Sequence, residues 1–235
     1  MSYRSANPSS IGNRMSNLKF PNESVEYRAA RNALLVAETN LRGQIEEVAR
    51  LRRELPAGGI LQEDYQFQEL VEGGERNVSF SDLFDQHDTL FVYSFMYSDD
   101  MKSACSLCTA LLDALDAQVS HIEQNISVAV VAKSPVQRID QHAQQRVWKH
   151  LRLLSSDSNS YNTDYFGETD GRQMTFGNIF VRKNGEVRHF WGSELAYEPA
   201  IEGGHMRHLD MIWPLWGVLD LTPDGRRGFM PKLDY

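Results

Sequence analysis

TLFVYSFMYSDDMKSACSLCTALLDALDAQVSHIEQNISVAVVA, residues 89–132, changes its period twice. Thr89 to Phe95 is an unbroken β-branched and aromatic run, the pattern of a strand covered on both faces, and Ile126 to Ala132 repeats it. Between them Leu107, Leu111, Leu115, Val119 and Ile122 recur at three- and four-residue steps, the stripe of an amphipathic helix. Strand, helix and strand in this order predict a parallel, right-handed βαβ unit.

The only two cysteines, Cys105 and Cys108, fall at the predicted strand-to-helix junction. Random placement would give this separation about once in a hundred. The helix is expected to begin near Ser103 or Ala104, which puts Cys105 in or before the first turn, where unpaired N–H groups and a partial charge of about +0.5 favour a thiolate. Cys108 lies one turn deeper, and the i, i+3 spacing lets its sulfur reach the first with little backbone movement. An unperturbed thiol, with a pKa of about 8.5, is only a few per cent thiolate at neutral pH. Lys102 would help to lower that pKa, and Asp99 and Asp100 would oppose it.

Downstream, Ser134 and Pro135 are an N-cap and N1 pair opening a helix through about Trp148, and Leu151 to Leu154 read as a short extended piece. Residues Ser155 to Gly177 have no clear period; their turn formers, Asp170 and Gly171 among them, and Tyr161, Tyr165 and Phe166 suggest an ordered loop pinned by aromatics, a candidate lid. Ile179 to Arg182 and Val187 to Trp191 flank Asn184-Gly185, the strongest short hairpin signal, so these strands are expected to be antiparallel. The tail gathers Met206, Met211, Trp213, Trp216 and Phe229, apolar groups expected to be buried on the core or on a partner.

Upstream, Tyr65, Phe67 and Glu69 alternate toward the Gly73-Gly74 turn, a strand or hairpin. From Asn22 to Leu55, Leu34, Leu41, Val48 and Leu55 recur every seven residues, with Asn22 or Ser24 as N-cap and Pro56 and Gly58-Gly59 beyond the end. Gln44 interrupts the stripe, so an arm folded on its own core or exchanged with a partner subunit is expected rather than a free coiled coil. Arg50, Arg52 and Arg53 read as a solvated face that suits the helix C-terminus. Residues 1–20 read as loosely ordered.

With 235 residues, 41% of them hydrophobic, the chain can bury one sizeable core. Its 32 acidic against 24 basic side chains leave a net charge of −8, no footprint for nucleic acid or an anionic membrane. No apolar run approaches the roughly 18 residues that span a bilayer, and the first fifteen residues show no apolar signal segment, so a cytoplasmic protein is expected.

Strand, C-S-L-C at a helix start, strand, helix and antiparallel hairpin together resemble the thioredoxin fold. Along most of its length the chain also resembles a thioredoxin-like family labelled only as domain of unknown function 899. The helical arm, Asp64-Tyr65-Gln66-Phe67, Ser81-Asp82-Leu83-Phe84, the loop with Tyr161 to Phe166, and the run from Leu215 to Arg226 carry this likeness. The resemblance implies an α/β fold, a thioredoxin-like mixed sheet flanked by helices, over residues 58–195, with an N-terminal helical arm at 1–57 and an aromatic C-terminal tail at 196–235. It also implies Cys105 as the attacking thiol and Cys108 as the resolving one. The substrate-docking proline of thioredoxins has no counterpart, because no proline lies between Pro135 and Pro199; Thr175, Phe176 or Gly177 takes that place. No proline sits between the cysteines, and Tyr97 to Ala104 replaces the usual short lead-in. Tyr97, Thr175 and Phe176 are therefore the expected substrate-binding residues.

A peroxiredoxin-type peroxidase would need a threonine where Lys102 stands and a nearby proline. A zinc site from Cys105, Cys108, His205 and His208 is a rival, although the histidines are one residue closer than usual and flanked by Gly203-Gly204. The remaining histidines follow no catalytic spacing and read as solvated or hydrogen-bonded, the acids of 157–170 lack the EF-hand ligand order, and no phosphate-cradling glycine loop occurs. The expectation is a thiol–disulfide oxidoreductase without metal or organic cofactor, acting on a protein or small-molecule disulfide or thiol and forming a homodimer. A redox-inactive scaffold of the same fold is the alternative.

Overall fold

Ser24 starts the first helix, α1 (Val25–Arg53), by accepting the Tyr27 N–H on its Oγ at 3.0 Å. This is the element of the first of two compact units, residues 1–55 and 56–235, in a computed structural model that describes residues 18–200 and 209–235. Leu34, Leu41, Val48 and Leu51 are exposed along the helix, and Arg50 pairs with Glu47 and Glu54 on its surface. The expectation for residues 1–20 falls almost wholly on 1–17, outside the described residues, as do Met206, His205 and His208.

The second unit runs β1 (Gln66–Val71), β2 (Gly74–Ser79), a 3-10 helix (Phe80–Phe84), β3 (Thr89–Ser94), α2 (Ser106–Ile122), β4 (Ser127–Ala132), α3 (Val136–Arg146) and β5 (Leu153–Ser155). It continues with α4 (Tyr161–Asp164), β6 (Glu168–Thr169), β7 (Arg172–Gln173), β8 (Phe176–Lys183), β9 (Glu186–Gly192) and α5 (Pro214–Leu219). Seven strands form one mixed sheet in the order β2-β1-β5-β4-β3-β8-β9. The two β-branched runs are its centre: Leu90 to Ser94 pair in parallel with Ser127 to Val131. The hairpin around Asn184-Gly185, both with positive φ, sets β8 antiparallel to β9, and β8 lies antiparallel to β3. Two parallel strands joined by a helix, with an antiparallel hairpin added beside the first of them, make the thioredoxin arrangement.

Both parallel crossovers, β3-α2-β4 and β4-α3-β5, step the same way along the sheet, so right-handed connection puts α2 and α3 on one face. There Phe91, Tyr93, Val128 and Val130 pack with Leu111, Leu112, Leu115 and Ile139, and Trp213 and Trp216 of the tail close the cluster. Strand alternation sends Leu90, Val92, Ala129 and Val131 the other way, onto Phe80, Leu83, Phe84, Tyr161 and Phe180. Asp116 of α2 joins the first face to the sheet: its Oδ1 accepts the N–H groups of Lys149, His150 and Leu151 at 2.8–3.1 Å, fixing the chain that enters β5.

The boundaries differ from expectation for identifiable reasons. Helix α2 starts at Ser106 rather than near Ser103 or Ala104, because the Cys105 N–H is held at 3.1 Å by the carbonyl of Met96, two residues beyond the end of β3. Pro135 is the cap residue of α3 rather than N1, and Ser134 Oγ accepts from Arg138 instead of capping. The same helix stops at Arg146, short of Trp148, where Val147 adopts a left-handed φ of 60° and the Trp148 N–H closes on the Ala143 carbonyl at 3.0 Å. Segment 155–177 is ordered by more than its aromatics: it holds α4 and the β6–β7 hairpin, turned by Asp170-Gly171 with φ of 51° and 70°. Tyr161 is buried in the second core face, with Tyr165 stacked on it at 5.2 Å, so these rings are packing rather than lid. Of the tail aromatics and methionines described, Trp213 and Trp216 are buried, whereas Met211 and Phe229 are exposed.

Candidate dithiol site

Cys105 is the N-cap of α2, in extended conformation (φ −62°, ψ 122°), and its Sγ accepts the Cys108 N–H at 3.4 Å. A cap sulfur faces the positive end of the helix and takes one of its unpaired donors, the environment that stabilises a thiolate. Cys105 is half-buried; Cys108, one turn in, is 2% exposed; both are free thiols. The hydrogen bond from the Cys108 thiol is the largest influence on Cys105 and, with the backbone N–H groups of Cys108 and Leu107, outweighs partial burial to lower its pKa from an ordinary 9.0 to about 6. Burial pushes Cys108 well up, and the bond to Cys105 pushes it further. At neutral pH the outer sulfur is therefore a thiolate and the inner one keeps the shared proton. Lys102 is not among the groups shifting Cys105, and Asp100 is engaged by the Ser98 hydroxyl at 2.5 Å.

Of the three residues expected to bind substrate, the structure brings one to the sulfurs. Thr175, just before β8, places Oγ1 2.5 Å from Tyr93 Oη, and Tyr93 shares a buried cluster with Cys108, whose pKa its hydroxyl acts to lower. Tyr97 is buried under the Arg138 guanidinium, 4.1 Å from its ring centre, against Phe95 and His142. Arg138 also donates to the carbonyls of Ser98, at 2.7 Å, and of Met101, so Tyr97 and Arg138 together hold the lead-in to Cys105. Phe176 points to the opposite face of β8, packed on Phe166 and Tyr197 with ring centres 5.7 and 5.9 Å away. No cis peptide bond occurs among the described residues.

Two contributors carried no sequence signal. Thr109 Oγ1 lies 2.9 Å from the Cys105 carbonyl and 3.2 Å from His142 Nε2, tying the cap to α3, and burial lowers the His142 pKa. An open cavity of about 640 Å³ adjoins the lead-in, lined by Met96, Ser98, Asp100, Lys133, Glu168 and Gln173, with Lys133 and Glu168 paired at 2.5 Å. Among the described residues no group of three or more His, Cys, Asp or Glu side chains converges as a metal site, and the rival zinc ligands His205 and His208 lie outside them. No described helix is long and apolar enough to cross a membrane.

A mixed sheet of this topology with a Cys-x-x-Cys pair at the helix following its first parallel strand defines a protein of the thioredoxin-fold class. The chain belongs to the family of bacterial proteins of unknown function DUF899, whose profile matches residues 17–233. No curated protein matches it. Among solved structures it is similar to oxidised Prx3 from Vibrio vulnificus, at 13% identity and TM-score 0.40 over 57% of this chain and 88% of that one. It is also similar to the exposed lipoprotein thioredoxin Etrx1 of Streptococcus pneumoniae, at 12% identity and TM-score 0.40 over 64% and 99% of the two chains. The mitochondrial 2-Cys peroxiredoxin of Plasmodium falciparum gives 16% identity and TM-score 0.42 over 57% and 80%.

Proposed function

We propose that the protein is a thiol–disulfide oxidoreductase. The observation that carries this reading is the asymmetry of the pair: a half-buried cap sulfur of depressed pKa in front of a buried, protonated one. The Cys105 thiolate attacks a substrate disulfide, forming a mixed disulfide and releasing one substrate thiolate. Cys108 then gives up its proton and attacks the Cys105 sulfur, and the second substrate thiolate leaves. Two electrons pass to the substrate, and the enzyme is left with a Cys105–Cys108 disulfide. Because the depressed pKa stabilises the dithiol, it raises the reduction potential of the pair, so that the Cys105–Cys108 disulfide, once formed, is readily handed on to another thiol by the same two steps in reverse.

Intact mass after thiol alkylation tests this. When labelled after unfolding in urea, protein treated with dithiothreitol should take up two alkyl groups, and protein treated with oxidised glutathione none, having lost two hydrogens and retained no glutathione. Cys108→Ser should instead retain one glutathione on Cys105. Two thiols that stay reduced and unmodified in glutathione would overturn the reading in favour of a redox-inactive scaffold.

A further inference from the structure

A resolving cysteine sealed in the core presents a chemical problem. To attack, Cys108 must carry negative charge at a site that is 2% exposed, where desolvation penalises the charge and water is not at hand to offset it. Some fixed donor has to take the place of water. The structure supplies one: Tyr93, itself 1% exposed, sits on the α2 face of β3 in the same buried cluster as Cys108, and its hydroxyl acts against burial to lower the Cys108 pKa. A buried phenol needs a partner for its oxygen, and here it is Thr175 Oγ1 at 2.5 Å. Thr175 is held there because Gly177, two residues on, pairs with Tyr93 across the β3–β8 ladder.

We propose that Tyr93 is a catalytic residue of the second exchange step, donating its O–H to the Cys108 sulfur as that sulfur becomes the nucleophile, while Thr175 donates to the Tyr93 oxygen and fixes its orientation. The assignment rests on the proposed oxidoreductase activity. In the step the Cys105–Cys108 bond forms, the bond from Cys105 to the substrate sulfur breaks, the substrate thiolate leaves with the electron pair, and the Cys108 proton passes to solvent. Tyr93 keeps its own proton: burial and the neighbouring Cys108 charge raise its pKa well above the ordinary value. It works as a preorganised donor aimed where charge develops, which stabilises the transition state more than the ground state. Thr175 is a positioning residue in this scheme, acting through Tyr93.

The aromatic disulfide dithiobis(nitrobenzoate) separates the two steps, because each releases one coloured thiolate: the first when Cys105 attacks the reagent, the second when Cys108 resolves the adduct. In Tyr93→Phe, which removes only the hydroxyl, the first phase should keep its wild-type rate and the second should slow roughly 10- to 100-fold, the size of a lost hydrogen bond to a charged group. Thr175→Val should slow the second phase by a smaller factor, and it carries the test alone if Tyr93→Phe does not fold. A second phase as fast as wild type in both variants would overturn the role of Tyr93 and leave the oxidoreductase reading standing. Equal slowing of both phases would overturn it too, by marking the hydroxyls as structural. If wild type releases no second thiolate, the oxidoreductase reading falls and this assignment with it.

Discussion

Cys105→Ser should leave the folded protein almost inert to iodoacetamide at neutral pH, with labelling slowed by at least roughly 100-fold. With the Cys105 pKa at about 6, most of that sulfur is thiolate at neutral pH. The remaining cysteine, Cys108, has its pKa pushed well above 9.0 by burial, so under about 1% of it is thiolate there. Ionisation alone accounts for about two orders of magnitude, and the inaccessibility of Cys108 adds to it. The converse variant, Cys108→Ala, should still be labelled, more slowly than wild type at low pH because a principal donor to the Cys105 thiolate is removed. Peptide mapping of the alkylated protein distinguishes the two sulfurs. Equal labelling of both cysteines in wild type would remove the asymmetry on which the division of roles depends.

Phe80→Ala should destabilise the second unit by about 3–5 kcal/mol, the usual loss when a fully buried phenylalanine is truncated. Phe80 has no exposed surface and is ringed by Tyr65, Phe67, Phe84, Tyr161 and Phe180, with ring centres 4.8 to 6.3 Å away. Its 3-10 helix, begun by Ser79 accepting the Asp82 N–H, covers the sheet face opposite the dithiol, so truncation opens a cavity that five rings cannot all close. Urea unfolding measures the loss. Exposed Leu221→Ala, changed by the same procedure, should stay within about 0.5 kcal/mol of wild type. Because Phe80 packs away from Cys105, the labelling rate of the folded Phe80→Ala protein should match wild type; a changed rate would mean that the two faces are coupled.

Most of the fold was legible because its signals are local. A seven-residue apolar run, a three-and-four-step stripe and Asn184-Gly185 each specify an element without reference to the rest of the chain, and the topology follows from connection rules. The cysteine pair was legible in the same way. What escaped notice depends on long-range contacts. Tyr93 reads in TLFVYSF as one more core aromatic, and only the arrival of Thr175, 82 residues later in sequence, shows its hydroxyl to be partnered. Arg138 looks like a surface cation of α3, yet it holds carbonyls 37 and 40 residues upstream. Which of Thr175 and Phe176 faces the sulfurs turns on where β8 begins; with the strand expected from Ile179 rather than Phe176, the alternation could not be carried back to them. Asp170-Gly171 is the instructive local miss, a hairpin turn grouped with other turn formers because the strands it joins are two residues each.

The pH dependence of Cys105 alkylation tests the central claim most directly. The thiolate is the reacting species and its folded-state pKa is lowered, so reactivity is full on the alkaline side and is lost as pH falls through that pKa. Initial rates of iodoacetamide labelling, followed at Cys105 by peptide mass, should show a midpoint near 6 in the folded protein. Below the midpoint the rate should fall about tenfold per pH unit, and urea-unfolded protein should return the midpoint to the ordinary thiol range of about 8.5. A folded-state midpoint at or above that ordinary range, or a Cys105 that reacts only when the protein unfolds, would contradict the account.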